Sequence, residues 1–258
     1  DRSFAAVLPL DLVFIFSGWT CTAPPQQPSA AQIDAGQGQV VLTDSSSNVF
    51  FLSGSTWSKL GSVPLKHVTV GPAGIWGVDS SNKIYKFVGG DFVSVHGLLQ
   101  QVDAGGNKQI VGVNSGNNIY CLKTSITSAY SQTGSVDWTG FDGALKYFSC
   151  GPNGCWGVNS ADNIYTVILS SLILTTSWTL VPGAAKMVEV GTDGSVFVVN
   201  AVGQVFQRYW RVTGITEYLP QGMNWAQLPI CLPVKHVSYD LERLWVLTEI
   251  GLILKCRQ

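Results

Sequence analysis

One phrase recurs along this chain, and a recurring phrase constrains a fold more tightly than composition does, because each unit must bury its apolar face against the next. Its clearest copy runs Leu65-Lys66-His67-Val68, then Gly71-Pro72-Ala73-Gly74, Trp76-Gly77-Val78-Asp79-Ser80, Asn82 and Ile84-Tyr85. The phrase returns as Leu145-Lys146-Tyr147-Phe148, then Gly151-Pro152-Asn153-Gly154, Trp156-Gly157-Val158-Asn159-Ser160, Asn163 and Ile164-Tyr165. Between them stand Val102-Asp103-Ala104-Gly105, Val113-Asn114-Ser115 and Asn118-Ile119-Tyr120. Weaker copies start near Ile33, Lys186 and Lys235. With Gly36, Gly71, Gly105, Gly151, Gly191 and Asp240 taken as equivalent, the six copies are spaced by 35, 34, 46, 40 and 49 residues.

Within each copy, apolar residues alternate in runs of four to six, the period of a half-buried strand. Gly-Pro-x-Gly and Asp/Asn-Ser-x-x-Asn interrupt the runs with turn chemistry. A fourth run leads with an aromatic and ends on glycine, as in Trp57 to Gly61, Phe92 to Gly97, Trp138 to Gly143 and Trp178 to Gly183. Four strands in a period of about 40 residues predict a blade, and six such units predict an all-β, six-bladed β-propeller. Composition agrees: charged residues are 12% and glycines number 28 among 258 residues, which suits strands and turns better than amphipathic helices.

The last copy has three strands before the chain reaches Gln258, while Trp19-Thr20-Cys21 is an unused aromatic-led strand at the other end. Placed in the last blade, that N-terminal strand closes the ring, removes the open edge and sets Cys21 beside Cys256. A Cys21–Cys256 disulfide is therefore expected, and a Cys150–Cys155 disulfide across the Gly-Pro-Asn-Gly turn. The bonding of Cys121 and Cys231 is left open. Two such pairs or added histidines at ligand spacing would be needed for zinc, and none is present.

The reading divides the chain into residues 1–18, a leader-like or appended N-terminal segment, and residues 19–258, the propeller. Phe4 to Phe16 is apolar but broken by Pro9 and Asp11, and it is too short to span a bilayer. No membrane insertion is expected. A net charge of −1, with 15 basic and 16 acidic residues scattered along the chain, removes the electrostatic case for nucleic acid. No Asn-x-Ser/Thr acceptor occurs, so N-glycosylation is not expected.

The phrase Leu-Lys-x-x-x-x-Gly-Pro-x-Gly-x-Trp-Gly-Val-Asn/Asp-Ser resembles tectonin repeats, and residues 19–258 are similar to the fish-egg lectins. Gln101 to Gly106, Tyr147 to Pro152 and Lys235 to Leu241 carry the likeness most specifically. The resemblance implies a secreted, extracellular carbohydrate-binding lectin that recognises N-acetylglucosamine-containing glycans and bacterial lipopolysaccharide in innate defence. It requires no cofactor, and it leaves room for a structural calcium ion and for a homodimer.

An enzyme would need a base, a nucleophile or a metal cluster. His67 and His236 share one repeat position with Gln101 and Tyr147, which favours a structural role. No paired carboxylates, Ser-His-Asp order or phosphate-cradling loop is evident, so no catalytic residue is assigned. A hydrolase would need carboxylates on the innermost strands, which read as Val, Gly, Phe and Ser. A propeller scaffold that binds a protein partner without sugar is the alternative.

A sugar site needs planar hydrogen-bonding side chains and an aromatic face. Asp79, Asn82, Asn114, Asn118, Asn159, Asn163 and Asn200 recur in one turn of the blades, and Trp76 and Trp156 recur in the strand before it. These nine are the candidate sugar-binding residues, with the best sites in copies two to four. Each has a plainer reading: the amides shape turns, and the tryptophans pack between blades.

Overall fold

The computed structural model describes residues 13–16, 18–106, 109–122, 136–167, 169–170, 173–174, 177–209 and 224–258. It is a ring of six antiparallel sheets. Blade one consists of Ala30–Gly36, Gln39–Asp44, Val49–Ser53 and Thr56–Lys59. Blade two follows with His67–Gly71, Gly74–Val78, Lys83–Val88 and Asp91–Leu98, and blade three with Gln101–Asp103, Ile110–Val113, Ile119–Leu122 and Thr139–Phe141. Blade four is Tyr147–Gly151, Gly154–Val158, Asn163–Val167 and Thr179–Ala184, and blade five is Met187–Val190, Val196–Val199, Val205–Tyr209 and Asn224–Leu228. In blade six, Val234–Asp240, Arg243–Thr248 and Ile253–Arg257 are completed by Trp19–Thr22, and Val13–Phe16 adds a fifth strand outside it. The closure expected from the sequence is therefore present. The register places Cys21 opposite Cys256, and the two are disulfide-bonded. Cys150 lies opposite Cys155 and is bonded to it, while Cys231 is an exposed free thiol. Residues 1–12 of the leader-like segment lie outside the described residues.

The core is divided into six clusters, each a wedge between two consecutive blades. Residues of alternate parity face opposite neighbours, so both faces of a blade are apolar and its second strand is almost continuously buried. Trp76 illustrates this. It lies wholly inside the wedge between blades two and three, with Nε1 donating to the Ala73 carbonyl at 2.9 Å.

The turn between second and third strands repeats in detail. Its first residue is Asp44, Asp79, Asn114, Asn159 or Asn200, and in each the Oδ1 accepts the N–H groups two and four residues on. Thr248 stands in this place in blade six and accepts from the Leu252 N–H at 2.9 Å. The fourth turn residue is left-handed in every blade: Ser47, Asn82, Asn117, Asp162, Gly203 and Gly251 have φ between 62° and 83°. Asn82 thus corresponds to Asn117 and Asp162, and not to Asn118 and Asn163 as the repeat alignment had it. The carbonyl of this residue accepts from the chain entering the next blade, as in Leu99 N–H to Asn82 and Leu145 N–H to Asn117, both at 2.9 Å.

Candidate functional site

The fourth strands build the outer half of each inter-blade surface. Trp57, Trp138, Trp178 and Trp225 are half-buried, and each indole N–H donates to a backbone carbonyl, that of Pro25 in the link before blade one for Trp57 and one at the end of the preceding blade for the other three. The acceptors of the last three are His96, Asp142 and Pro182, at 2.8, 2.7 and 2.8 Å. Beside these acceptors lie Gly97, Gly143 and Gly183, with φ of 121°, 120° and 130°. Their missing side chains make room for the indoles: a Cβ at Gly143 would lie 2.9 Å from Trp178 Nε1. The aromatic at the start of a fourth strand and the glycine at the end of the previous one are therefore two halves of one joint.

Above this joint the blades part. Between blades three and four is a cavity of ≈ 280 Å³, lined by Ile119, Gly143, Ala144, Leu145, Asn159, Tyr165 and Trp178. Between blades four and five, a cavity of ≈ 350 Å³ is lined at six of those repeat positions, by Ile164, Gly183, Ala184, Asn200, Phe206 and Trp225, with Asp162, Val198, Ala201 and Val202 added. Each offers an indole, a second aromatic, an apolar floor and one turn amide. This mix of apolar lining and a few fixed polar groups is what small-ligand pockets share.

Of the nine candidate residues, Asn159 and Asn200 line these cavities. Asn114 holds the equivalent turn position at the junction of blades two and three, where Trp138 is the indole. Asp79 is also in the turn position, where its Oδ2 accepts from Tyr85 Oη at 3.1 Å. That bond and burial both push the Tyr85 phenol up, burial being the larger cause. Asn82 is engaged by the Lys66 ammonium through Oδ1. Asn118 and Asn163 are exposed and donate their backbone N–H groups to Asn114 and Asn159. Trp76 and Trp156 are corrections: at 0% and 3% exposure they are core residues and present no face to a sugar. Second-strand indoles point into the wedges, whereas the indoles that reach a cavity are Trp178 and Trp225 on fourth strands. For Trp178 the signal in the sequence is the aromatic-then-glycine run that marks its strand; Trp225 has no glycine closing its run.

The axis of the ring carries a second cluster, and here the reading of the innermost strands is corrected. Those strands place Asp34, Thr69, Asp103, Ser149, Glu189 and Ser238, all buried, at one level, so that carboxyl and hydroxyl alternate around the ring. Each side chain accepts a backbone N–H from the next blade: Val70 to Asp34 at 2.6 Å, Ala104 to Thr69 at 3.0 Å, Cys150 to Asp103 at 2.9 Å. The round continues with Val190 to Ser149 at 3.0 Å, Tyr239 to Glu189 at 3.1 Å and Ala35 to Ser238 at 2.8 Å. Burial, reinforced by charge between the acids, raises Asp34 to about 7 and Glu189 well above its usual range, and burial raises Asp103 to about 6. One step along the axis, Tyr147 Oη lies 2.8 Å from His236 Nε2, and His67 packs edge-on to both rings. Burial lowers His67 to about 4 and His236 to about 3, so both are neutral. Every carboxyl in the ring is engaged by backbone or hydroxyl groups, so the layer ties the blades together.

The model of the tectonin domain matches residues 29–249. Fish-egg lectin from Cyprinus carpio is 44% identical over 160 residues, a match that takes in 60% of this chain and 65% of the carp protein, less than two thirds of its length. Among solved structures, a gluconolactonase from Xanthomonas campestris superposes with a TM-score of 0.67 at 9% identity, over 94% of this chain and 90% of that one. Virginiamycin B lyase from Staphylococcus aureus gives a TM-score of 0.60 at 13% identity, over 93% and 88% of the two chains. At such identities the likeness to these two enzymes is one of fold alone.

Proposed function

The chain belongs to the tectonin domain family, and from that premise we propose that it is a multivalent lectin whose sugar sites are the clefts between blades. The observation that carries this reading is the recurrence of one cleft at two consecutive junctions, with Asn159 and Trp178 in one and Asn200 and Trp225 in the other. The likeness to a carp protein named as a lectin supports it.

Each cleft suits an N-acetylated aminosugar. The C–H face of a pyranose ring packs on an indole, and its hydroxyls bond to a turn amide. The floor of Ile119 and Ala144, or of Ile164, Ala184 and Val198, offers an acetamido methyl group an apolar seat that a bare hydroxyl would not fill. The proposed ligands are N-acetylglucosamine-containing glycans, including those of microbial surfaces such as bacterial lipopolysaccharide. The role is extracellular, in innate defence. Several weak sites on one rigid ring gain avidity on a dense glycan surface without any new contact.

Calorimetric titration with N-acetylglucosamine, with glucose and galactose as controls, tests the reading. Saturable heat for more than one site per chain is expected, reduced when Trp178 and Trp225 are replaced by alanine. Absence of heat with any of the three sugars at millimolar concentration would overturn it.

A further inference from the structure

Blade six carries a site that the inter-blade clefts do not use. Antiparallel pairing sets Thr20 opposite Arg257 and Thr22 opposite Lys255, and sets Lys255 opposite Trp245 on its other side. Paired residues stand on one face of a sheet, so these side chains project together. Cys21 and Cys256, between them, point the other way into the wedge with blade five. Arg243 precedes Trp245 by two along its strand and joins the same face. Thr20, Thr22, Arg243, Lys255 and Arg257 line one cavity of ≈ 220 Å³.

Three of the five lining residues are cations and none is an acid. The ion pairs among the described residues, Lys146–Asp162 and Lys186–Glu249, lie elsewhere. The Lys255 ammonium sits 5.8 Å from the centroid of the Trp245 ring, and Arg243 Nη1 donates to the Glu242 carbonyl at 3.1 Å. Those contacts position the two cations without neutralising them. In a chain with only 15 basic residues and a net charge of −1, three cations around one cavity repel one another unless an anion is shared between them.

We infer that this pocket binds an oxyanion, namely the phosphate or sulfate ester group of a ligand. Two guanidinium forks, an ammonium and two hydroxyls supply more donors than the two oxygens of a carboxylate accept, and they match a tetrahedral group with three terminal oxygens. The site itself does not depend on the inter-blade reading. That the ester is carried on a glycan rests on the proposed lectin function, and it extends that function from neutral to charged sugars.

The test titrates the whole protein with N-acetylglucosamine, its 6-phosphate and its 6-sulfate. A parallel arm follows backbone amide shifts during addition of inorganic phosphate and inorganic sulfate. The charged sugars are expected to bind at least about tenfold more tightly than the neutral one. That advantage should shrink as salt is raised to about 0.5 M. It should vanish in the Arg243→Gln, Arg257→Gln double variant, with neutral-sugar binding unchanged. The inorganic ions should shift the amides of Thr20, Thr22 and Arg257, which keeps the inference testable even if the variant folds poorly. Equal affinity for charged and neutral sugars with no shift at those amides, or an advantage that survives the double variant, overturns it. Amide shifts at the pocket with no heat from any neutral sugar would uphold the oxyanion site and defeat the lectin reading instead.

Discussion

The indole nitrogen of Trp178 donates to the backbone carbonyl of Asp142 in the preceding blade at 2.7 Å, and the same indole lines the cleft between the two blades. One side chain thus fastens two sheets and forms a wall of the candidate site. Its ring also meets Phe148 edge-on, with centroids 5.7 Å apart. Binding surface and blade joint are therefore coupled through one rigid ring.

That coupling separates two substitutions. Trp178→Phe keeps an aromatic face and loses the bond to Asp142, so stability should fall by about 1 kcal/mol while a stacked sugar is still bound. Trp178→Ala removes both, with an expected loss of about 3 kcal/mol and no binding at that cleft. Urea denaturation and calorimetry on the two variants check this, and equal binding by both would show that the ring face is not used.

Gly143→Ala tests the other half of the joint. At φ 120° an alanine is strained, and its Cβ would stand 2.9 Å from Trp178 Nε1. The indole must move, so the variant should lose about 2–3 kcal/mol and lose sugar binding at the cleft between blades three and four, while the cleft between blades four and five is unaffected. A fall of one in the number of sites per chain is the readout.

The repeat made the ring legible from the residues alone, because a period of four short strands and a stray N-terminal aromatic strand admit few arrangements. The cleft was only half legible. Asn159 and Asn200 stand out because turn amides recur in register, and the same regularity points to Trp76 and Trp156 rather than to Trp178 and Trp225. Periodicity marks every strand residue alike; which face of a blade meets a neighbour and which meets a gap depends on how the sheets splay outward, and no single repeat encodes that. The fourth strand of blade five, led by Trp225, is not legible because its run lacks the closing glycine of the other copies. The axial carboxyls are hidden for a related reason: Asp34, Asp103 and Glu189 lie in alternate blades, and alignment of consecutive copies hides a pattern with twice the period.

Opening the Cys21–Cys256 disulfide should be the most damaging single covalent change. It joins residues 235 apart in sequence and locks the strand that completes blade six. Loop-closure entropy puts its contribution at about 5 kcal/mol, against about 2 kcal/mol for the five-residue separation of Cys150–Cys155. Serine pairs at each bridge, compared by urea midpoint, should fall in that order. A larger loss at Cys150–Cys155 would mean that the turn it spans, and not ring closure, limits stability.

The axial ring predicts how stability changes with pH. The three acids hold their protons more tightly folded than unfolded: Asp34 is raised to about 7, Asp103 to about 6, and Glu189 well above 4.5. Above about pH 4.5 the unfolded chain has lost these protons, while the folded ring keeps them up to about 6 at Asp103, about 7 at Asp34 and higher still at Glu189, so over those ranges the acids make stability fall as pH rises. His67 and His236, lowered to about 4 and about 3, act in the opposite sense, since below 6.5 only the unfolded chain protonates them. The two effects largely offset each other between pH 4 and 6.5. Above 6.5 the histidines are neutral in both states and Asp103 is ionised in both, so Asp34, up to about 7, and Glu189, beyond it, act alone and stability should decline from there toward alkaline pH. Glu189→Gln isolates the effect, because the amide oxygen can still accept from Ser238 Oγ and the Tyr239 N–H, which Glu189 Oε1 holds at 2.7 and 3.1 Å. The variant should be close to wild type near pH 5 and more stable than wild type at pH 8.5. Urea titrations at the two pH values measure the difference, and a gap that does not widen with pH would show that Glu189 is ionised in the folded ring.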